Sequence, residues 1–215
     1  MSWSSGKDSA FALAELRRGR DYQVTALFTT VNETHDRVAM HSTRRELLQL
    51  QAEALGLPLH IISIPAGCTN EQYETAFAAF LAKARAEGVA AFGYGDLFLT
   101  EIRAYRERTM AGSGIEPVFP LWGRPTPLLA RQMIEAGVEA VFTCVDPRQL
   151  PASFAGAAFT AETIAALPGT ADPCGENGEF HSFVTNAPGF RERLKVVPGE
   201  IVERDGFVFA DFLPA

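Results

Sequence analysis

The chain has 215 residues, 47% hydrophobic and 21% charged, with a formal net charge of -7. That length and balance suit a globular protein with a sizeable core, as one large domain or a main domain with a smaller partner. The acidic balance, without a basic stripe or Lys/Arg-rich run, argues against a nucleic-acid groove. No apolar run approaches the roughly 20 residues that span a bilayer, and no signal-peptide pattern is visible, so a cytoplasmic location with no membrane partner is expected.

In chain order, a polar loop, Ser4-Ser5-Gly6-Lys7-Asp8-Ser9, precedes a helical stretch at Ser9–Arg18. β-rich runs lie at Tyr22–Val31, Leu59–Ile64, Val89–Tyr94 and Ala140–Val145. Helical stretches lie at Thr43–Leu55, Asn70–Glu87, Thr100–Ala111 and Pro127–Ala136, with apolar residues at three- and four-residue spacing. Gly19, Gly56, Gly88 and Gly137 each follow a helical stretch directly, where a left-handed residue commonly ends a helix. Repeated βα units of this length predict a parallel sheet with helices on both faces. Prolines cluster between Pro117 and Pro127, around Trp122 and Gly123, and a domain boundary is expected there. The division predicted is 1–120 and 121–215. Pro147–Gly189 reads as loop-rich, and the chain ends in a hairpin, Lys195–Glu203 and Gly206–Phe212, turning at Asp205-Gly206. Cys68, Cys144 and Cys174 lie far apart, which argues against a disulfide framework and gives no zinc signature.

Four constellations carry chemistry. The loop Ser4–Ser9 can turn backbone N–H groups, hydroxyls and the positive end of a helix dipole toward an anion, and Lys7 adds a full charge. It is not the Walker loop, which needs a Gly five positions before Gly6 and a Ser or Thr after the Lys, where Asp8 stands. The bland alternative is an ordinary helix cap made by Ser5 or Asp8. Lysine is rare in this chain, only Lys7, Lys83 and Lys195 among 19 basic residues, so an ammonium in a glycine-bearing loop stands out. Gly93-Tyr94-Gly95-Asp96 falls at the carboxyl end of a predicted strand, where open parallel sheets collect ligands. Glu101, Arg103, Arg106 and Glu107 fit either a salt-bridged solvent face or a phosphate- or carboxylate-binding one. Cys174–His181 gathers Glu176, Asn177, Glu179 and His181 around two glycines, a stretch with little to contribute to packing.

Ser4–Ser9 resembles the SGGKDS pyrophosphate-binding loop of the ATP pyrophosphatases, the group of GMP synthetase and NAD synthetase, with Ser5 in place of the first glycine. Thr29–Glu33, Arg37–His41, Phe92–Leu97, Ile102–Glu107, Pro120–Trp122 and Cys174–His181 resemble, in the same order, one branch of that group, the diphthine–ammonia ligase family. The resemblance implies an α/β, Rossmann-like parallel sheet with helices on both faces (the adenine nucleotide alpha hydrolase-like type) plus a smaller carboxyl-terminal α+β domain. The strand leading into the loop would be reduced to Met1–Trp3, or would begin upstream of the given sequence. It further implies an ATP-dependent amide-forming ligase that adenylates a carboxylate, releases pyrophosphate and transfers ammonia. ATP would be held by Ser4, Ser5, Gly6, Lys7, Asp8, Ser9, Gly93, Gly95 and Asp96, with Mg2+ on Asp8 and Asp96. Catalysis would fall to Lys7, Asp8, Glu176 and Glu179. The acceptor would meet Arg37, His41, Arg103, Arg106, Asn177 and His181. The expected partners are a small-molecule or protein-borne carboxylate and free ammonium, no nucleic acid, and a second copy of the chain in a homo-oligomer. A non-catalytic ATP- or AMP-binding sensor and a sulfur-transferring relative acting on tRNA are the alternatives, and the acidic loop and scattered cysteines count against them.

Overall fold

The computed structural model describes residues 1–32, 37–38, 43–65 and 67–215, and the side chains of all of these except 32, 37 and 38. It is a mixed α/β structure with two small parallel pairings and a separate antiparallel sheet. Helix α1 (Lys7–Arg18) leads to strands β1 (Leu27–Asn32) and β2 (Arg37–Val38), then α2 (Arg45–Leu55) and β3 (Leu59–Ile64). Next come α3 (Asn70–Ala86), β4 (Ala91–Gly93), α4 (Thr100–Met110), β5 (Glu116–Val118), α5 (Thr126–Glu135) and β6 (Glu139–Val145). The last quarter holds a 3-10 turn at Ala152–Phe154, a short α6 (Ala161–Ala165), and strands β7 (Phe180–Asn186), β8 (Val196–Arg204) and β9 (Phe207–Pro214).

β1 and β3 run parallel through the full length of both, from Leu27 opposite Leu59 to Asn32 opposite Ile64. β4 and β5 form a second parallel pair. Between the two pairs sits Met1–Trp3, whose backbone is bonded on both sides. Trp3 N donates to Phe28 O (2.8 Å) and Phe28 N to Met1 O (2.9 Å), while Ser2 N donates to Gly93 O (2.9 Å). The antiparallel sheet has the order β7-β6-β9-β8, with the expected hairpin as β8 and β9.

The segment read as loop-rich, Pro147–Gly189, carries β7 and α6 instead. β7 escapes a pattern reading because it is buried on both faces: Ser182 and Thr185 are as buried as Phe183 and Val184, so no alternation of polar and apolar residues marks it. The first β run is shorter than expected, starting at Leu27, with the preceding residues 22–26 outside any strand.

One apolar core runs through both parts of the chain, with Trp3, Leu13, Leu47 and Leu48 packed in the same cluster as Leu129, Phe142, Phe183 and Val184. A second cluster, Phe28, Phe77, Phe92 and Tyr94 among it, fills the space under α3. Because β7 enters the first core directly, the start of α1 is brought against residues 180–184. Lys7 N donates to Ser182 Oγ at 3.2 Å, and Val184 N to Ser5 O at 2.9 Å.

Candidate active site

Helix α1 starts at Lys7, with Gly6 extended as its N-cap and no side chain capping it. A helix leaves its first N–H groups without intrahelical acceptors, and this first turn lines a cavity of about 230 Å³. Ser4 and Ser9 brace the loop: Ser4 Oγ donates to Ser9 Oγ at 3.2 Å, and Ser9 Oγ to Gly6 O at 2.9 Å. Ser5 lies behind the loop rather than in the cavity, fully buried, at φ 72°. A side chain makes this left-handed conformation costly, by roughly 1–3 kcal/mol. Its hydroxyl is 2.7 Å from that of Thr43. That is the position where the resemblance places a glycine.

Among the described side chains Lys7 is the most buried cation, at 2% exposure. Its ammonium donates to both Asp8 carboxylate oxygens (2.9 and 3.1 Å) and to the Cys174 carbonyl, with the Phe180 ring centroid 5.1 Å away. Burial alone would lower its pKa; the groups facing it, Asp8 foremost with Cys174 and Glu176 behind it, together outweigh that and hold it above the usual lysine range. The charge is therefore kept, pre-formed, in an aromatic-walled corner, where electrostatic interactions are strong.

Gly95 approaches the same turn. An added Cβ there would lie 2.9 Å from both Asp8 C and Ser9 N. Only a residue without a side chain lets the β4 loop pass the helix start so closely. Asp96 follows, and Arg106 of α4 donates to it at 3.3 Å while stacking 4.8 Å over the Tyr94 ring. Asp96 and Arg106 both line the cavity.

The opposite wall is the loop between α6 and β7. Gly175 turns it at φ 71°, where a Cβ would come within 2.7 Å of Phe180 O. Two buried carboxylates hold its shape. Asp172 accepts from Cys174 N (2.9 Å) and Glu176 N (3.3 Å). Glu179 accepts from Asp172 N (2.8 Å), Asn177 N (3.0 Å) and Asn177 Nδ2 (3.1 Å). Glu176 instead reaches across the cavity and accepts from Leu97 N at 2.8 Å. Burial raises its pKa to about 7; the Leu97 N–H opposes this, and the nearby Asp8 charge adds to it.

Of the expected site residues, Ser4, Lys7, Asp8, Ser9, Gly95, Asp96, Arg106, Glu176 and His181 meet at this cavity. Ser5 and Gly6 form the loop behind it. Glu179 and Asn177 are engaged with each other within the acidic loop. Arg103 is turned away, bonded to Glu107 at 2.8 Å and lying over the Phe119 and Trp122 rings at 4.9 and 4.8 Å. Gly93 lines a larger cavity, about 550 Å³, at the first residues of β1 and β4. Arg37 and His41 lie outside the described residues, the backbone of Arg37 in β2 excepted. Among the described residues, no group of three or more His, Cys, Asp or Glu could hold a metal ion, and no helix is long and apolar enough to cross a membrane.

Sequence reasoning missed three contributors. Ser182 and the Cys174 carbonyl reach Lys7 only through the fold. Gln51, fully buried in α2, donates to Ser5 O at 3.1 Å and had no local signal at all.

The family model described as diphthamide synthase N-terminal domain matches residues 1–117, and that described as diphthamide synthase C-terminal domain matches residues 125–210. No curated protein matches the chain at a significant level. The two matches leave only a short stretch between them and the carboxyl-terminal residues uncovered, and they fall on the two sets of elements that close the cavity. The chain belongs to the diphthamide synthase family, the diphthine–ammonia ligases.

Proposed function

We propose that the protein is an ATP-dependent ligase that activates a carboxylate as its adenylate and converts it to an amide with free ammonia. Residues 1–120 bind the nucleotide and 121–215 supply the acceptor side of the cleft. In this reading Met1–Trp3 serves as the central strand, giving the order β3, β1, Met1–Trp3, β4, β5, the doubly wound Rossmann-like arrangement. The backbone bonds of Ser2, Trp3 and Phe28 support that order.

The observation that carries the proposal is the meeting of a helix start and a buried ammonium with the carboxylates of Asp8, Asp96 and Glu176 around one small cavity. Its 230 Å³ falls below the roughly 300–1,000 Å³ of whole-ligand sites, a size that suits the phosphates of ATP more than the entire nucleotide. Pyrophosphate leaves toward the first turn of α1, where N–H groups and Lys7 take up its developing charge. To do so, Lys7 exchanges the Cys174 carbonyl for a phosphate oxygen. Asp8 and Asp96 enter from separate elements and fit Mg2+, which takes one or two carboxylates and completes its shell with water and phosphate oxygens; bound there it would offset phosphate charge.

In the first step a carboxylate oxygen of the acceptor attacks the α-phosphorus and the bond to the bridging oxygen of pyrophosphate breaks. In the second, ammonia attacks the acyl carbon, AMP leaves, and one proton is released. Glu176, with a pKa near 7 and a place on the cavity wall, is suited to accept that proton. Arg106 and His181 are the described residues placed to meet the acceptor.

The test is exchange of labelled pyrophosphate into ATP, with Mg2+ and a pool of carboxylate metabolites but without ammonium. Exchange that requires the pool supports adenylation. ADP formation without exchange would overturn the reading.

A further inference from the structure

We infer that Gln51 is a positioning residue for the phosphate-binding loop, setting the orientation of the Ser5–Gly6 peptide from behind; the inference rests on the nucleotide-binding reading above. Gln51 lies in α2, 46 residues from Ser5 and 133 from Val184, and is completely buried. Both amide protons and the carbonyl oxygen of its side chain are engaged. Nε2 donates to Ser5 O at 3.1 Å and to Val184 O at 2.7 Å, and Oε1 accepts from Trp3 Nε1 at 2.8 Å.

Those three bonds tie together the segment entering the loop, the loop itself and β7. The middle one matters most. Ser5 is held at φ 72°, a conformation a serine does not choose unaided. In it the Ser5 carbonyl points inward, where it accepts from both Val184 N and Gln51 Nε2. Fixing that carbonyl fixes the peptide plane that ends at Gly6 N, one residue before the helix whose first turn lines the cavity. β7 gains in the same way: Val184 is held by Gln51, and two residues earlier Ser182 accepts from Lys7 N. A hydrocarbon side chain of the same length fills the space and leaves both carbonyls without this partner. The loop is then free to relax away from the left-handed geometry.

The experiment is calorimetric titration with α,β-methylene ATP, which cannot be split between the α- and β-phosphates, alongside thermal unfolding without nucleotide. Wild type, Trp3→Phe, Gln51→Met and Gln51→Glu are compared. Trp3→Phe loses the indole bond and some core packing but keeps the clamp on Ser5. It should lower the melting temperature yet leave affinity within about twofold, whereas Gln51→Met should weaken binding by about tenfold or more, the worth of a buried hydrogen bond lost at a site that needs it. Gln51→Glu keeps the volume but, ionised, sets a charge against two carbonyls; its affinity relative to wild type at the same pH should recover in part as pH falls from 8 to 5.5 and the buried carboxyl gains a proton that it can donate to one of them. That arm decides the matter if Gln51→Met does not fold. Affinity losses that merely follow the loss of stability, equal in Trp3→Phe and Gln51→Met, would overturn the inference. So would a Gln51→Glu affinity that keeps a constant ratio to wild type across that pH range. A wild-type protein that binds no nucleotide would instead overturn the functional reading and the inference with it.

Discussion

Replacing Gly95 with alanine tests how closely the site is built. The new Cβ would sit 2.9 Å from Asp8 C and Ser9 N and 3.1 Å from Asp8 O. All three are backbone atoms of the first turn of α1, so no rotamer change can relieve the clash. Reaching an ordinary contact distance requires a separation larger by roughly half an ångström, either in the helix start or in the β4 loop. Overpacking of this kind costs about 1–3 kcal/mol, and for a chain of this length each kcal/mol lowers Tm by roughly 2–4 °C. Scanning calorimetry should therefore show a fall of about 2–12 °C. AMP formation should drop at least tenfold, since sub-ångström displacement of a binding element is felt strongly in rate. Gly93→Ala is the control: its Cβ meets Leu16 Cδ1 and Met1 Sδ, the ends of flexible side chains, and turnover should stay near that of wild type. A Gly95→Ala enzyme with wild-type Tm and turnover would refute the close-approach argument.

Three further predictions concern single groups. At Ser5 the usual stability order of alanine over glycine should invert: Ser5→Ala loses the Thr43 hydroxyl bond and keeps the φ of 72°, while Ser5→Gly loses the bond and the strain together. Ser5→Ala is expected to be less stable than Ser5→Gly by about 1 kcal/mol, as read by denaturant midpoint; the reverse order would remove the strain. Lys7→Ala should cut turnover roughly 100-fold or more, the cost of removing one charge-stabilising donor, and near-normal turnover would take Lys7 out of the chemistry. Glu176 should give the rate an acid limb centred near pH 7 that Glu176→Gln abolishes along with most activity. Because its folded-state pKa is about 7 against an ordinary 4.5, the folded protein binds that proton more tightly than the unfolded chain. Glu176 thus contributes stability at low pH that is lost as pH rises from about 4.5 to about 7. Wild-type stability should fall relative to Glu176→Gln across that window, and parallel curves would contradict the assigned environment.

The readable parts of the fold are those whose information is local. β3 occupies the expected Leu59–Ile64, a β-branched run bounded by Pro58 and Pro65, and the β8–β9 hairpin turns at Asp205-Gly206, where Asp205 adopts a positive φ of 53°. β5 was hidden in a proline cluster. It is three residues long and includes Pro117, which an edge strand tolerates because one of its sides has no ladder to break. β7 was hidden because two of its polar residues are buried rather than facing solvent, Ser182 accepting from Lys7 N and Thr185 donating to Glu139 O.

The site divides along the same line. Lys7, Asp8, Asp96 and Glu176 sit in contiguous motifs, so chemistry could be read from neighbours in sequence. The same motif logic drew in Glu179 and Asn177, which share the acidic loop with Glu176 but are spent on its backbone. Alternation along a loop does not say which carboxylate faces inward. Gln51, Ser182 and the Cys174 carbonyl act across 46 to 175 residues of sequence, and no periodicity encodes such a pairing.

The most direct test of the central claim is phosphorus NMR of the nucleotide products after incubation with Mg2+, ATP, ammonium and the carboxylate pool. The account predicts AMP and pyrophosphate in equal amounts, formed only when ammonium and the pool are both present. ADP and inorganic phosphate would contradict it, because the bond broken would then not be the one that the loop at Ser4–Ser9 is argued to serve.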